Sequence, residues 1–219
     1  MIGEIDAGLV HEPLFRDWSQ KLATRGFLLR YVAQTDKITN PEGVTVAITL
    51  LYEVEKEGVA YRGKTVIAVG GVGVFAMLEN TETGRRSGLF VRQTRVATAT
   101  DSSVEIVGGW INPGETDVQA AVREFLEETG IELGANMLRP LGTWDLERGL
   151  SSATIALFGC TLKATTNEIH ILSHRISGNV NEGEVTALEV VDWKEAWAIL
   201  WGDMKSILAL QLFTDLLNQ

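Results

Sequence analysis

The segment from Asp117 to Thr129 constrains this chain most, because it reads as a helix with carboxylates crowded along one side. Thr116 followed three residues later by Gln119 forms a capping box, which makes Thr116 the N-cap and Asp117 the first helical residue. Asp117 then sits where the helix dipole favours negative charge. Gly130 suits the left-handed position just past the end. At about 100° per residue, Val118, Val122, Phe125, Leu126 and Thr129 gather on one side as the expected core face. Asp117, Glu124, Glu127 and Glu128 gather on the other, with Ala120 and Ala121 between.

That carboxylate row is locally unfavourable. Glu124 and Glu128 are like charges four residues apart, which costs a helix about 0.2–0.5 kcal/mol. Glu127 and Glu128 also occupy the last turn, where the dipole prefers cations. The helix contains no Lys, and Arg123 is its one basic residue. Two readings are open from the helix alone. It is a solvated acidic face, or it is a row of oxygen ligands for a hard cation such as Mg²⁺, whose binding removes the repulsion. Solvated acidic faces usually interleave Lys or Arg, and this one does not.

The flanking residues extend the pattern. Gly109, Glu115, Arg123, Glu124, Glu127, Glu128 and Gly130 stand at fixed spacing, with Phe125 and Ile131 at apolar positions between and after them. The stretch resembles the Nudix hydrolase signature, departing from it at Phe125, where an aliphatic residue is more usual. The resemblance implies that Glu124, Glu127 and Glu128 are metal ligands and that Arg123 braces the loop through Glu115. It implies about two or three Mg²⁺ or Mn²⁺ ions per site. The implied fold is an α/β/α sandwich around a mixed sheet, a mixed α/β class.

The lead-in narrows the resemblance. Phe90-Val91-Arg92-Gln93-Thr94-Arg95 and Val104-Glu105-Ile106-Val107-Gly108-Gly109 resemble the corresponding segments of nucleoside-diphosphate-sugar pyrophosphatases such as ADP-ribose pyrophosphatase. Carried over by position, Arg95 contacts the diphosphate, Glu105 orients substrate and the Gly108 carbonyl is a metal ligand. The general base in that branch comes from a loop after the signature. Here the best such loop is Asn181-Glu182-Gly183-Glu184, with Glu184 ahead of Glu182 and Glu127 as the fallback. The branch further implies a homodimer, with residues 1–60 as an N-terminal arm and β extension for dimerisation and the substrate site, and residues 61–219 as the Nudix domain.

Two departures leave the sugar open. Glu147 stands near the position of a proline that marks many ADP-ribose enzymes, and Arg148-Gly149-Leu150-Ser151-Ser152 replaces a Ser-Pro-Gly-like loop. The expected activity is metal-dependent hydrolysis of a nucleoside diphosphate sugar. The alternatives are hydrolysis of another nucleoside diphosphate derivative, or an inactive ligand sensor on the same fold.

Charge and cysteine content exclude other classes. A net charge of −10 argues against a nucleic-acid partner, since such binders carry basic patches. The single cysteine, Cys160, excludes an internal disulfide, a cysteine-based zinc site and the zinc element of the nicotinamide-dinucleotide branch. No signal peptide and no apolar run near about 18 residues is evident, so a soluble cytoplasmic protein without membrane contact is expected.

Elsewhere the pattern predicts strands over 27–37, 44–54, 65–78 (broken at Gly70, Gly71 and Gly73), 89–95, 104–107, 138–146, 153–162 and 185–191. Residues 1–25 read as a short arm. Asp192 with Glu195 reads as a capping box for a helix carrying Trp193, Trp197 and Trp201, followed by a last helix from Asp203. Gly58 to Thr65 matches the phosphate-binding P-loop pattern, but a P-loop must open a helix, and Val66-Ile67-Ala68-Val69 is a poor one; it reads as a hairpin turn. His170 and His174 have a metal-pair spacing but no third ligand and no helical pattern around them.

Overall fold

The computed structural model describes residues 4–40, 43–177 and 186–218. It divides into two compact units, Met1–Gly70 with Asp145–Thr154, and Gly71–Trp144 with Ile155–Gln219.

The first unit is a four-stranded sheet, in order β1 (Glu4–Ile5), β2 (Leu28–Thr39), β3 (Thr45–Lys56) and β4 (Val59–Ala68). β2, β3 and β4 form an antiparallel meander, and β1 adds in parallel. β3 alternates: Ile48, Leu50 and Val54 are buried, whereas Leu51 between them is exposed. Against the buried face pack Phe15 and Trp18 from α1 (Pro13–Thr24). The N-terminal arm expected over 1–25 is therefore mostly this helix, started by a proline at a position where its missing N–H costs nothing. Glu57 and Gly58 both take positive φ, 53° and 80°, the requirement of a tight hairpin turn. The P-loop-like residues beyond Gly58 are not the turn but the strand β4, paired along β3. Beside β4 the segment 147–152 is held by Val66 N to Leu150 O and Ser152 N to Val66 O, each 2.9 Å.

The second unit is built on one mixed sheet. Its strands are β5 (Gly71–Asn80), β6 (Arg86–Arg95), β7 (Thr100–Glu105), β8 (Val107–Trp110), β9 (Arg139–Asp145), β10 (Thr154–Ala164), β11 (Ile176–Ser177) and β12 (Thr186–Asp192). The order is β11-β12-β6-β5-β10-β9, with β7 on β6 and β8 on β5. β10 runs parallel to β5, while β6 and β8 run antiparallel to it. The helices are α2 (Asp117–Thr129), α3 (Thr166–Leu172), α4 (Ala196–Ile199) and α5 (Met204–Leu217). The long strand expected over 65–78 is two strands, β4 and β5, one in each unit.

β5 is buried on both faces, which fixes the layering. Val72, Val74, Ala76 and Leu78 join Ala120, Ala121 and Phe125 of α2 in one core. Phe75 and Met77 join Ala209, Leu210 and Phe213 of α5 in the other. The unit is thus an α/β/α sandwich. Gly159 on β10 makes room for Phe213, since a Cβ there would stand 2.1 Å from the ring. The tryptophan helix expected from Asp192 shrinks to the single turn α4, because Asp192 Oδ1 accepts from Lys194 N and no side chain caps the helix. Trp193 and Trp197 pack on the second core, but Trp201 is 83% exposed. Among the described residues no helix is long and apolar enough to cross a membrane.

Phe213→Ala is expected to lower unfolding stability by about 3–5 kcal/mol, because it empties a closed ring site. Trp201→Ala should change it by under about 0.5 kcal/mol. Urea midpoints of the two variants check this, and similar losses for both would contradict the layering.

Candidate active site

β7 pairs with β6, β8 pairs with β5, and Ile106 lies at the switch between them. There the chain uses side chains from both helical layers. Ile106 N donates to Ser206 Oγ of α5 at 2.8 Å, and Gly108 N donates to Glu128 Oε2 of α2 at 2.9 Å. Two adjacent glycines permit the approach. A Cβ on Gly108 would stand 2.2 Å from Val72 O, and one on Gly109 would stand 2.3 Å from the Glu124 carboxylate. The signature glycine is the floor on which Glu124 lies.

α2 begins and ends as the sequence predicts. Gln119 N donates to Thr116 Oγ1 at 3.3 Å and Thr116 N to Gln119 Oε1 at 2.9 Å, and Gly130 closes the helix at φ 65°. Its buried face keeps Phe125 and Thr129 of the predicted one, with Val122 packed against the core, but is turned away from Val118 and Leu126. Ala120, Ala121, Phe125, Glu128 and Thr129 are buried, whereas Val118 and Leu126 are exposed. The hydrogen bond to Gly108 draws Glu128 inward, to 5% exposure, and small alanines fit where β8 runs close.

Arg123 joins the loop to the helix. Its Nε and Nη2 reach Glu115 Oε1 and Oε2 at 2.8 and 3.0 Å. Nη2 also reaches the Trp110 carbonyl at 2.8 Å, and Nη1 reaches Glu124 Oε1 at 2.8 Å and Glu127 Oε2 at 3.0 Å. Asn112 N donates to Glu115 Oε2 at 2.9 Å, which closes the loop. The hydrogen bond to Glu115 raises the Arg123 pKa against the opposing effect of burial, with Glu124 and Glu127 adding to it. The same bond lowers Glu115 below the usual carboxylate range, again against burial, with Asn112 assisting. The charge the sequence left uncancelled is thus partly met by Arg123 itself.

Among the described residues, no three of His, Cys, Asp and Glu are gathered as a ready ligand set for a metal ion. The donor chemistry nevertheless suits a hard cation. Glu124, Glu127, Glu128 and the Gly108 carbonyl offer oxygen alone, from one helix face and the strand beneath it.

A second cluster surrounds Glu105, which is buried at the end of β7. Arg95, at the end of β6, grips it with Nε and Nη2, both at 2.8 Å. Lys205 of α5 donates to Glu105 Oε2 and to Asp203 Oδ2, and Ser206 Oγ donates to Asp203 Oδ2. Burial pushes the Glu105 pKa up, but Arg95 and Lys205 outweigh it and hold it at about 2. Lys205 was not read from the sequence. Its signal was a cation in the first turn of a helix, where the dipole disfavours it unless carboxylates stand beside it.

The structure therefore joins Glu115, Arg123, Glu124 and Glu127 in one ion-paired group, sets Glu128 against Gly108, and places Arg95 with Glu105 in another group. Glu182 and Glu184 lie outside the described residues. The segment holding His170 is a helix after all, α3, with Thr165 and Glu168 as its capping box. The His170 and His174 rings lie 4.6 Å apart, and His174 Nδ1 is 2.9 Å from the His170 carbonyl. They join no metal-ligand group among the described residues.

Comparison with known proteins gives three results. A family model described as the NUDIX domain matches residues 70–210, starting one residue before the second unit. A crystal structure described as an ADP compounds hydrolase matches with a TM-score of 0.63 and 16% sequence identity, covering 88% of this chain and 94% of that one. At that identity the likeness is one of fold. No curated protein matches.

Glu105 supplies a pH test. Its folded pKa lies below the ordinary 4.5, so its stabilising effect is full above pH 4.5 and is lost as pH falls toward about 2. Glu105→Gln should be less stable than wild type at neutral pH, and the gap should narrow steadily below pH 4.5. Urea unfolding across that range measures it; a gap independent of pH would refute the assignment.

Proposed function

The chain belongs to the NUDIX family, and we propose that it hydrolyses the diphosphate linkage of a nucleoside diphosphate sugar of the ADP-ribose type, releasing a nucleoside monophosphate and a sugar phosphate. The observation that carries the proposal is the pair Glu124 and Glu128, one turn apart, laid against the glycines of β8 with Arg123 beside them. The fold shared with an ADP compounds hydrolase accords with this substrate class.

In this reading Glu124, Glu127, Glu128 and the Gly108 carbonyl hold Mg²⁺ or Mn²⁺, about two or three ions. When bound, the metal neutralises charge on the diphosphate oxygens and makes a coordinated water more acidic. The remaining work belongs to the chain. Arg123 and Glu115 keep the loop 110–115 on the helix, so the ligand row holds its shape. Arg95 binds the diphosphate, and Glu105 acts through Arg95, whose guanidinium it fixes by two bonds. Water attacks one phosphorus, the bond to the bridging oxygen breaks, and the leaving phosphate takes the electron pair. A carboxylate accepts the proton of the water, which we assign to Glu184 ahead of Glu182, with Glu127 as the fallback.

The same reading carries a homodimer in which residues 1–60 complete the partner's site and residues 61–219 do the chemistry. The exposed Leu28, Ile38 and Leu51 of the first unit's sheet are consistent with a face covered by another chain. The acidic chain and its small-molecule substrate leave no role for nucleic acid or membrane, and suit a cytoplasmic setting.

The alternative reading is an inactive ligand sensor on the same fold. Phosphate-ester products measured over a panel of nucleotide sugars and other nucleoside diphosphate derivatives with Mg²⁺ separate the two. Glu128→Gln keeps an acceptor for Gly108 N and so should stay folded, while kcat falls by about 100-fold or more. Binding of a panel member without turnover would establish the sensor instead. Turnover restricted to compounds lacking a sugar would move the substrate to the wider class.

A further inference from the structure

The last turn of α2 carries Glu127 and Glu128 and no basic residue of its own, although a helix C-terminus favours cations. The cation comes from elsewhere in the chain. Arg175 lies against Gly130, the residue that closes the helix: a Cβ there would stand 1.9 Å from Arg175 Nη2 and 2.5 Å from Cζ. Two residues further on, the Ser177 hydroxyl donates to the backbone carbonyl of Glu128, one of the last-turn carbonyls with no partner inside a helix.

Ser177 is itself held in a strand pair. β11 pairs with β12 through Ser177 with Thr186 and Ile176 with Ala187, and Leu188 N donates to Arg175 O at 2.9 Å. Thr186 is fully buried, its hydroxyl 3.4 Å from that of Ser177. Ser177 is therefore anchored by β12 as well as bonded to Glu128. Glu128 is held from two sides, its carboxylate by Gly108 N and its carbonyl by Ser177.

We propose that Arg175 and Ser177 are positioning residues that fix the end of α2, and with it the Glu128 carboxylate. Helix ends fray when nothing holds them, and here the fraying turn would carry two of the proposed metal ligands. The catalytic consequence rests on the hydrolase reading above; the clamp itself rests on the Ser177 bond and the close approach of Arg175 to Gly130.

The test uses the full chain with Ser177→Ala, Ser177→Thr, Arg175→Ala and Arg175→Lys. Mn²⁺ binding is titrated without substrate by electron paramagnetic resonance, turnover of ADP-ribose is followed with Mg²⁺, and urea midpoints report folding. Ser177→Ala should weaken Mn²⁺ binding about tenfold and lower kcat by a similar factor, with KM within about twofold and Ser177→Thr restoring both. Arg175→Ala should weaken Mn²⁺ binding about two- to fivefold, with Arg175→Lys close to wild type. Unchanged Mn²⁺ affinity in both alanine variants overturns the proposal, as does a loss that only tracks the folded fraction and is not rescued by threonine. Wild type that binds Mn²⁺ but turns over no panel member sinks the hydrolase reading alone, and the Mn²⁺ titrations still decide the clamp. Wild type that binds no Mn²⁺ sinks both.

Discussion

Arg123 has five N–H donors, and the structure directs each of them to an acceptor: Glu115 twice, Glu124, Glu127 and the Trp110 carbonyl. A planar fork can hold a loop carboxylate with one edge and two helix carboxylates with the other, which a lysine ammonium cannot do in the same geometry. The formal charges show what this leaves over. Arg123 contributes one positive charge against three negative ones from Glu115, Glu124 and Glu127, a balance of −2, and Glu128 beside them makes −3. The guanidinium organises the carboxylates without satisfying their charge. The negative charge that remains gives this face a potential that favours cations.

The glycines of β8 are the geometric counterpart of that charge. Without side chains at 108 and 109, the strand can lie close to Val72 on one side and take the Glu124 carboxylate on the other. The closeness exposes the Gly108 amide to Glu128, so the helix is drawn down by a hydrogen bond to a charged acceptor, a stronger bond than a neutral pair makes. Packing follows: Ala120 and Ala121 fit the narrow space and Phe125 fills the deeper one. Close approach of the strand, orientation of the helix and placement of its carboxylate row thus follow from the two glycines.

What the residues disclosed in advance was whatever depends on neighbours in sequence. The capping box at Thr116 and the left-handed Gly130 are short-range devices, and each stands where its residues predict. The helical face was misjudged because a count of apolar positions assumes that only apolar groups are buried. The Gly108 amide rewards a carboxylate instead, which leaves Leu126 and Val118 toward solvent. The helices α1 and α3 were missed although Pro13 and the Thr165–Glu168 pair marked their starts, since mixed polarity hid the periodicity that follows. Lys205 bonds to a carboxylate a hundred positions earlier, and no local pattern encodes such a pair.

That long-range pair changes what α5 does. Where β7 leaves β6 and β8 joins β5, the chain has exchanged one strand partner for another, and amide groups at such a switch cost about 1–3 kcal/mol if buried without an acceptor. Ser206 from α5 answers Ile106, and Glu128 from α2 answers Gly108. Lys205, the neighbour of Ser206, then neutralises Glu105, which in turn sets Arg95. The two helical layers, one on each side of the sheet, are therefore fastened two residues apart, at Ile106 and Gly108. The layer that bears the carboxylate row and the layer that steadies the candidate phosphate-binding arginine are fastened to the same short piece of chain. A displacement of either helix would be felt by both groups, so the outer layer belongs to the site as much as to the core.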